Sequence, residues 1–270
     1  MYLKICIIGC GWLGLPLAEH LVQAGNSVNG STTSVNKLNV LKSQGISPFL
    51  IKFSPNHIDG NIKACLNGCK TLILNIPPRL RKNPEQDYVA MMQLLIRHIE
   101  SSTIENLVFI STTSVYEDTT EIPTISETSK TSDSVTASKL LKVEELFTGN
   151  PNFNTTILRF GGLIGKDRHP AKFLSGKSGI KNPNAPVNLI HQKDCISIIE
   201  NIINKSIWNE VFNAAYPAHP TREEYYTKAC KELNLPLPKF DQSNTSKGKI
   251  ISSEKLARIL NYRFEQPINN

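Results

Sequence analysis

The sequence has no long hydrophobic run. No stretch approaches the ~20 consecutive apolar residues that a membrane-spanning helix needs, so we expect no interaction with a membrane. The apolar residues at the start of the chain, Met1 to Ile8, are too few for a signal peptide and lack a small-residue cleavage site. They also lead directly into a glycine-rich turn. We therefore expect a cytoplasmic protein.

The patterns of nucleic-acid-binding proteins are also absent. Lys and Arg outnumber Asp and Glu by 30 to 23, which gives a net charge of +7 at pH 7. No basic run is interleaved with aromatic residues, however, so we expect no nucleic-acid partner. A solvated basic surface, or attraction toward phosphorylated ligands, accounts better for the charge.

Metal-ligand spacing is missing as well. The six cysteines are scattered, mostly inside apolar segments. Cys65 and Cys69 lie one helical turn apart, which makes a metal pair conceivable, but no Cys or His pair follows at ligand spacing. We therefore predict buried free thiols and no metal.

What the chain does contain is a regular alternation of strand and helix patterns. We predict strands over residues 4–8, 27–30, 46–53, 71–76, 106–111 and 155–160, with helices over 13–24, 37–44, 87–101 and 138–147. This order predicts a doubly wound parallel α/β sheet of the Rossmann type over residues 1–160. Beyond residue 160 the alternation loosens, so residues 161–270 are predicted to form a small mixed α/β substrate lobe that is partly integrated with the core.

Three glycines follow the first predicted strand and open the first predicted helix. Gly9 permits a tight turn, Gly11 lets the backbone approach a pyrophosphate, and Gly14 lets helix and strand pack closely. The pattern alone is weak, but the strand before it and the helix after it strengthen it. The helix N-terminus offers N–H groups and a positive dipole end to phosphates. We predict a dinucleotide bound by this turn, including Trp12 and Leu13. A turn without a ligand is the alternative.

The end of the second predicted strand bears on which dinucleotide is bound. An Asp or Glu there would bind the ribose 2′-hydroxyl and select NAD, but residues 30–37 contain no carboxylate. Hydroxyls of Thr32 and Thr33 and the ammonium of Lys37 suit a 2′-phosphate. We expect NADP, with NAD possible; Ser and Thr side chains that only cap the next helix are the alternative. Asn75 and Pro77, at the end of the fourth strand, are predicted to line the same crevice.

Several motifs fall at the ends of the predicted strands. They are Gly9 to Gly14, Ser111-Thr112-Thr113-Ser114-Val115-Tyr116, Glu127, Ala137-Ser138-Lys139-Leu140, Leu158 to Gly165 and Ile190 to Asp194. With these motifs the chain resembles the extended and atypical short-chain dehydrogenase/reductases, the NAD(P)-dependent epimerase/dehydratase-like family, over most of its length. The resemblance implies hydride transfer to or from a small hydroxylated substrate, including phosphorylated compounds and nucleotide sugars. It also allows a homodimer.

The resemblance implies catalytic roles for Thr112, which would orient the substrate, and for Lys139, which would hold the nicotinamide ribose. The family spaces its acid/base tyrosine and its lysine as YxxxK, and that tyrosine position is Val135 here. Tyr116 is a candidate substitute, with a packed aromatic as the alternative. His191 is a second candidate, because the ordinary pKa of histidine, ~6.5, suits proton transfer at neutral pH; a hydrogen-bonded structural histidine is the alternative.

Cations near the middle of the chain fall where the family places substrate contacts. Arg168 and His169 would suit an anionic substrate, with His191 as a further contact; a solvated basic loop is equally compatible with the sequence. The missing tyrosine leaves a second function open, namely a non-catalytic NADP-binding redox sensor or regulator. The sequence does not select between net reduction and epimerisation.

Overall fold

The computed structural model describes residues 2–77, 87–243 and 245–268. The chain divides into two compact units. The first unit comprises Met1–Ser111, Asp133–Leu158 and Ile199–Val211, and the second comprises Thr112–Ser132, Arg159–Ile198 and Phe212–Asn270. Residues 1–160 thus hold most of the first unit, but the division is interleaved along the sequence, and a boundary at residue 160 stays a prediction.

Strands and helices alternate along the described chain. The strands are β1 (Lys4–Ile8), β2 (Ser27–Thr32), β3 (Ser47–Leu50), β4 (Lys52–Phe53), β5 (Ile58–Asp59), β6 (Thr71–Leu74), β7 (Asn106–Thr112), β8 (Thr124–Ile125), β9 (Asn154–Phe160), β10 (Gly162–Ile164), β11 (Leu189–His191), β12 (Val211–Ala214) and β13 (Ile250–Ile251). The helices are α1 (Gly14–Gln23), α2 (Asn36–Ser43), α3 (Ile62–Leu66), α4 (Tyr88–Glu100), α5 (Val135–Thr148), α6 (Ala171–Leu174), α7 (Gln192–Asn204), α8 (Arg222–Glu232) and α9 (Glu254–Leu260).

The main sheet has seven strands in the order β12-β9-β7-β6-β1-β2-β3. β1 pairs in parallel with both β2 and β6, and β6 pairs in parallel with β7. From β1 the chain builds outward to β3 on one side and then crosses to β6 on the other. The strand order therefore reverses between β1 and β6, where α/β sheets bind ligands at the carboxyl ends of their strands. The Rossmann-type α/β prediction is confirmed.

Local differences from the predicted elements have identifiable causes. The third strand leaves the sheet after Leu50, and β4 instead pairs antiparallel with β5. α5 starts before the predicted residue 138 because the Ser134 hydroxyl accepts a hydrogen bond from the Ala137 N–H at 3.3 Å and caps the helix. Short elements that the sequence analysis does not predict include β8, β10, α3, α6 and α9.

All six cysteines are free and buried, as predicted. In the first unit the Sγ atoms of Cys6 and Cys65 lie 3.5 Å apart, and the Asn29 amide donates to the Cys65 carbonyl at 2.8 Å. Among the described residues no group of His, Cys, Asp and Glu is arranged to hold a metal ion. Within the same residues no helix is long and apolar enough to cross a membrane.

A buried carboxylate anchors the last residues of the second unit. Asp194, in the first turn of α7, is 1% exposed. It accepts hydrogen bonds from the Tyr262 hydroxyl at 2.7 Å and from the backbone N–H groups of Glu265 and Gln266 at 3.0 and 3.3 Å. The side chain thereby satisfies donors of a segment that forms no helix or strand of its own.

We predict that Asp194→Ala lowers the free energy of unfolding by about 3 kcal/mol, because it leaves buried donors without an acceptor. Urea unfolding followed by circular dichroism measures the change. Asp59→Ala removes an exposed carboxylate and is the matched control, expected to stay within about 0.5 kcal/mol of the wild type. Equal effects of the two substitutions would contradict the anchoring role.

Candidate functional site

The turn after β1 is built by close backbone approaches. Gly9 has φ +106°, and a Cβ at this position would lie 2.3 Å from the Asn75 carbonyl oxygen. A Cβ at Gly14 would lie 2.2 Å from the Gly9 oxygen. The Gly9 N–H donates to the Ser31 hydroxyl at 3.0 Å, and the Asn75 amide donates to the Gly9 oxygen at 3.2 Å. The first and third glycines are therefore required by the fold itself.

Gly11 is different, because a Cβ there would meet nothing within 4 Å. This glycine faces a cavity of about 740 Å³ at the carboxyl ends of β1 and β6. α1 begins beside it without an acidic residue in its first turn, so the positive end of the helix dipole is not neutralised locally. Space above a glycine at a helix N-terminus is the arrangement that admits a pyrophosphate.

The lining of this cavity contains most of the predicted cofactor residues. Among the described residues that line it, Lys37 is the only charged one and none is acidic. The predicted residues that line the cavity are Gly9, Gly11, Thr32, Thr33, Lys37, Asn75 and Pro77. The predicted residues outside this lining are Trp12, Leu13, Gly14 and Lys139.

The hydroxyl groups after β2 do not cap the next helix. α2 has Val35 as its N-cap, without a side-chain hydrogen bond, so the capping alternative is wrong. The Thr32 hydroxyl accepts a hydrogen bond from the Ser34 N–H at 3.2 Å, while Thr33 and Lys37 are exposed. These exposed side chains are available to a ligand at this end of the cavity.

The cysteine in the glycine turn is not a nucleophile. Burial raises the pKa of the Cys10 thiol to about 12, and the positive charge of Lys37 only partly opposes that effect. The thiol therefore stays protonated at neutral pH, and its role is packing.

The predicted catalytic residues occupy different units. Thr112 is the last residue of β7 and belongs to the second unit. Its hydroxyl accepts a hydrogen bond from the Ser114 N–H at 3.2 Å. Lys139 lies half-buried on α5 in the first unit. Val135 is the first residue of α5 and is 73% exposed. The family's tyrosine position therefore carries a solvent-facing apolar side chain.

Tyr116 is held inside the second unit. It is 2% exposed, its hydroxyl accepts from the Arg159 guanidinium at 2.6 Å, and it donates to the Asn213 amide oxygen at 3.0 Å. Burial raises the pKa of this phenol, although Arg159 opposes the shift. The phenol is protonated at neutral pH and engaged within the protein, which favours the packed-aromatic alternative.

Both predicted substrate histidines have a defined tautomer. His191 Nδ1 accepts from the Lys193 N–H and His169 Nδ1 accepts from the Ala171 N–H, each at 3.2 Å. Burial lowers the pKa of both rings, so each is neutral at neutral pH with its proton on Nε2. Arg168 is exposed in the same unit.

Comparison with known proteins identifies the relatives of the chain. No family model matches it. The chain is 30% identical to Protein YeeZ of Escherichia coli K12 over 267 residues, which cover 98% of this chain and 96% of that protein. The chain belongs to the YeeZ family. Protein YeeZ of Escherichia coli O157:H7 matches with the same identity and coverage.

Solved structures show the same fold. UDP-glucuronic acid 4-epimerase from Bacillus cereus in complex with NAD matches with a TM-score of 0.79 at 16% identity, covering 98% of this chain and 93% of that one. A protein of unknown function from Silicibacter pomeroyi matches with a TM-score of 0.78 at 19% identity, covering 98% and 94%. This chain thus has the fold of the NAD-dependent epimerase/dehydratase, or extended short-chain dehydrogenase/reductase, proteins, as the sequence motifs predict.

Part of the cavity wall was not found from the sequence. Phe53, Ser54 and Pro55 line the cavity, and the Ser31 hydroxyl accepts a hydrogen bond from the Gly9 N–H. The sequence predicts one continuous strand through Phe53 and does not reveal the bend after Leu50 into the β4–β5 pair. The Ser54-Pro55-Asn56 turn residues were the available signal.

We predict opposite effects of alanine at two glycines of this member of the YeeZ family. Gly14→Ala should lower the melting temperature by more than about 5 °C, because its Cβ meets a backbone oxygen. Gly11→Ala should melt within about 2 °C of the wild type but bind NADPH more than about 10-fold more weakly, because its Cβ enters the ligand space. Calorimetric titration with NADPH and thermal unfolding measure both. Unchanged NADPH affinity in Gly11→Ala would show that no phosphate lies against Gly11.

Proposed function

We propose that the chain is an NADP-dependent oxidoreductase, epimerase or dehydratase that acts on a small hydroxylated substrate, such as a sugar phosphate or nucleotide sugar. The observation that carries the proposal is the cavity above Gly11, which lies at the reversal of strand order and has no acidic residue among the described residues that line it. In support, the UDP-glucuronic acid 4-epimerase from Bacillus cereus has been solved with UDP-glucuronic acid and NAD.

The residues present fit a phosphorylated dinucleotide. The glycine turn and the positive end of α1 would hold the pyrophosphate. Thr32, Thr33 and Lys37 would hold the 2′-phosphate of the adenosine ribose by charge-assisted hydrogen bonds. The cofactor supplies hydride transfer at its nicotinamide when bound. Lys139 would hold the ribose on that side.

The remaining roles belong to the second unit. The Thr112 hydroxyl would orient the reacting oxygen of the substrate, and Arg168 with His169 would bind an anionic group. Tyr116 would have a structural role in the segment that follows Thr112, since its hydroxyl is already hydrogen-bonded to Arg159 and Asn213. Proton transfer would then fall to His191, whose neutral ring carries a proton on Nε2. The substrate is a small molecule, and a homodimer stays a prediction from the family resemblance.

Two observations favour a second function. Val135 is solvent-facing at the family's tyrosine position, and Tyr116 is buried. A general acid/base typically contributes ~10²–10⁴-fold to the rate, so its loss suits a non-catalytic NADP-binding sensor or regulator. Both functions require the cofactor. Only the enzyme predicts turnover of a substrate, and a loss of that turnover when Thr112 is replaced.

For the cofactor, we predict micromolar binding of NADPH and at least about 10-fold weaker binding of NADH, as expected for loss of charge-assisted bonds to the 2′-phosphate. Calorimetry on cofactor-free protein measures both. Lys37→Glu should abolish the preference, whereas Lys42→Glu, an exposed lysine of α2 outside the cavity lining, should leave it unchanged. Binding of neither dinucleotide would overturn the proposed function.

For the reaction, we predict cofactor-dependent turnover of a member of a panel of sugar phosphates and nucleotide sugars, followed by absorbance at 340 nm and by product analysis for epimers. Thr112→Ala should lower that turnover at least about 100-fold through loss of the orienting hydroxyl. Thr120→Ala, an exposed threonine in the same unit, is the control. NADPH binding with no turnover of any panel member would favour the sensor.

A further inference from the structure

A buried hydrogen bond joins β7 to α5 within the first unit. The Ser111 hydroxyl donates to the Glu144 carboxylate Oε1 at 2.5 Å. Ser111 is 6% exposed and Glu144 is 4% exposed, so the bond lies between sheet and helix, away from solvent.

Burying a carboxyl group at residue 144 costs free energy, because the group loses its hydration. The rest of the buried face of α5 is apolar, and its members are Ala137, Leu140, Val143 and Phe147. An apolar side chain at residue 144 would pack there without the cost of removing a charge from water. A buried carboxyl group needs hydrogen-bond partners, and Ser111 is one of those of Glu144. A directional bond fixes geometry in a way that apolar contacts do not, because it has one donor, one acceptor and a narrow range of angles.

The bond connects the two segments that carry predicted site residues. Ser111 directly precedes Thr112 at the end of β7, and Glu144 follows Lys139 on α5 by ~7.5 Å of helix rise. Since a helix is stiff over this length, fixing Glu144 against β7 fixes both the rotation of α5 and its position along its axis. The apolar packing of α5, such as the tilted contact of Phe147 with Phe109, tolerates small sliding more readily.

We propose that Ser111 and Glu144 are positioning residues that set the location of the Lys139 ammonium. This inference rests on the proposed function, in which Lys139 holds the ribose on the nicotinamide side. Glu144 is 4% exposed and its Oε1 accepts the Ser111 hydroxyl, so it acts through the helix and not by touching the ligand. The neighbouring Glu145 is exposed and forms an ion pair with Lys142 at 2.9 Å, which makes it a matched control on the same helix.

The experiment compares two ligands on five proteins. NADPH reaches the Lys139 side of the proposed site, whereas 2′,5′-ADP contains only the adenosine half and does not. Calorimetry gives both affinities for the wild type, Ser111→Ala, Glu144→Met, Glu144→Gln and Glu145→Gln. ADP and NADH replace these ligands if the protein prefers NAD. Thermal unfolding of each protein reports its stability.

We expect Ser111→Ala and Glu144→Met to bind NADPH about 10-fold more weakly, the equivalent of one lost hydrogen bond to a charged group, and 2′,5′-ADP within about twofold of the wild type. Glu144→Gln should retain most of the NADPH affinity, because its amide oxygen still accepts from Ser111. Glu145→Gln should match the wild type. If Glu144→Met does not fold, Ser111→Ala carries the test.

Two results would overturn the inference. Parallel weakening of NADPH and 2′,5′-ADP would show a general loosening of the first unit, and unchanged NADPH affinity in both Ser111→Ala and Glu144→Met would show that the bond positions nothing. If the wild type binds neither ligand, the proposed function fails and the inference falls with it. If the wild type binds both and the variants do not differ from it, only the inference fails.

Discussion

The backbone of the turn after β1 touches its neighbours so closely that no side chain fits at Gly9 or Gly14. This crowding brings β1, α1 and the end of β6 together at one point. The Ser31 hydroxyl and the Asn75 amide then take up the N–H and the carbonyl of Gly9, so the polar groups of the turn are satisfied despite the tight packing. Gly11, by contrast, faces open space. The close packing at Gly9 and Gly14 that joins β1 to α1 therefore also forms the candidate ligand site.

Charge gives this space its chemical character. The N-terminus of α1 contributes a partial positive charge, Lys37 contributes a full one, and no acidic residue lines the described cavity. Both positive centres favour anions, and they lie at the ends of strands that are neighbours in the sheet. A ligand with phosphates at two separate positions matches this distribution better than one with a single anionic group.

The sequence predicts the sheet well because buried parallel strands read as short apolar runs and because Gly9, Gly11 and Gly14 leave few alternatives for the first turn. It predicts less where single contacts decide the outcome. The bend after Leu50 depends on pairing between β4 and β5, and the early start of α5 depends on one serine cap. The Ser111–Glu144 bond joins residues far apart in sequence, and the burial of Tyr116 depends on Arg159 and Asn213, so no local pattern reveals either.

The buried thiols allow internal motions of the protein to be measured by chemical labelling. A thiol reagent in water reaches a cysteine that is fully packed only when the surrounding structure opens, so its labelling rate reports how often that happens. Cys6, Cys65 and Cys69 belong to the first unit, whereas Cys195 and Cys230 belong to the second; Cys10, also in the first unit, lines the cavity and is not used as a probe. Mass spectrometry of the labelled peptides would therefore distinguish opening of one unit from opening of the other. The measurement needs no amino-acid substitution and no known ligand.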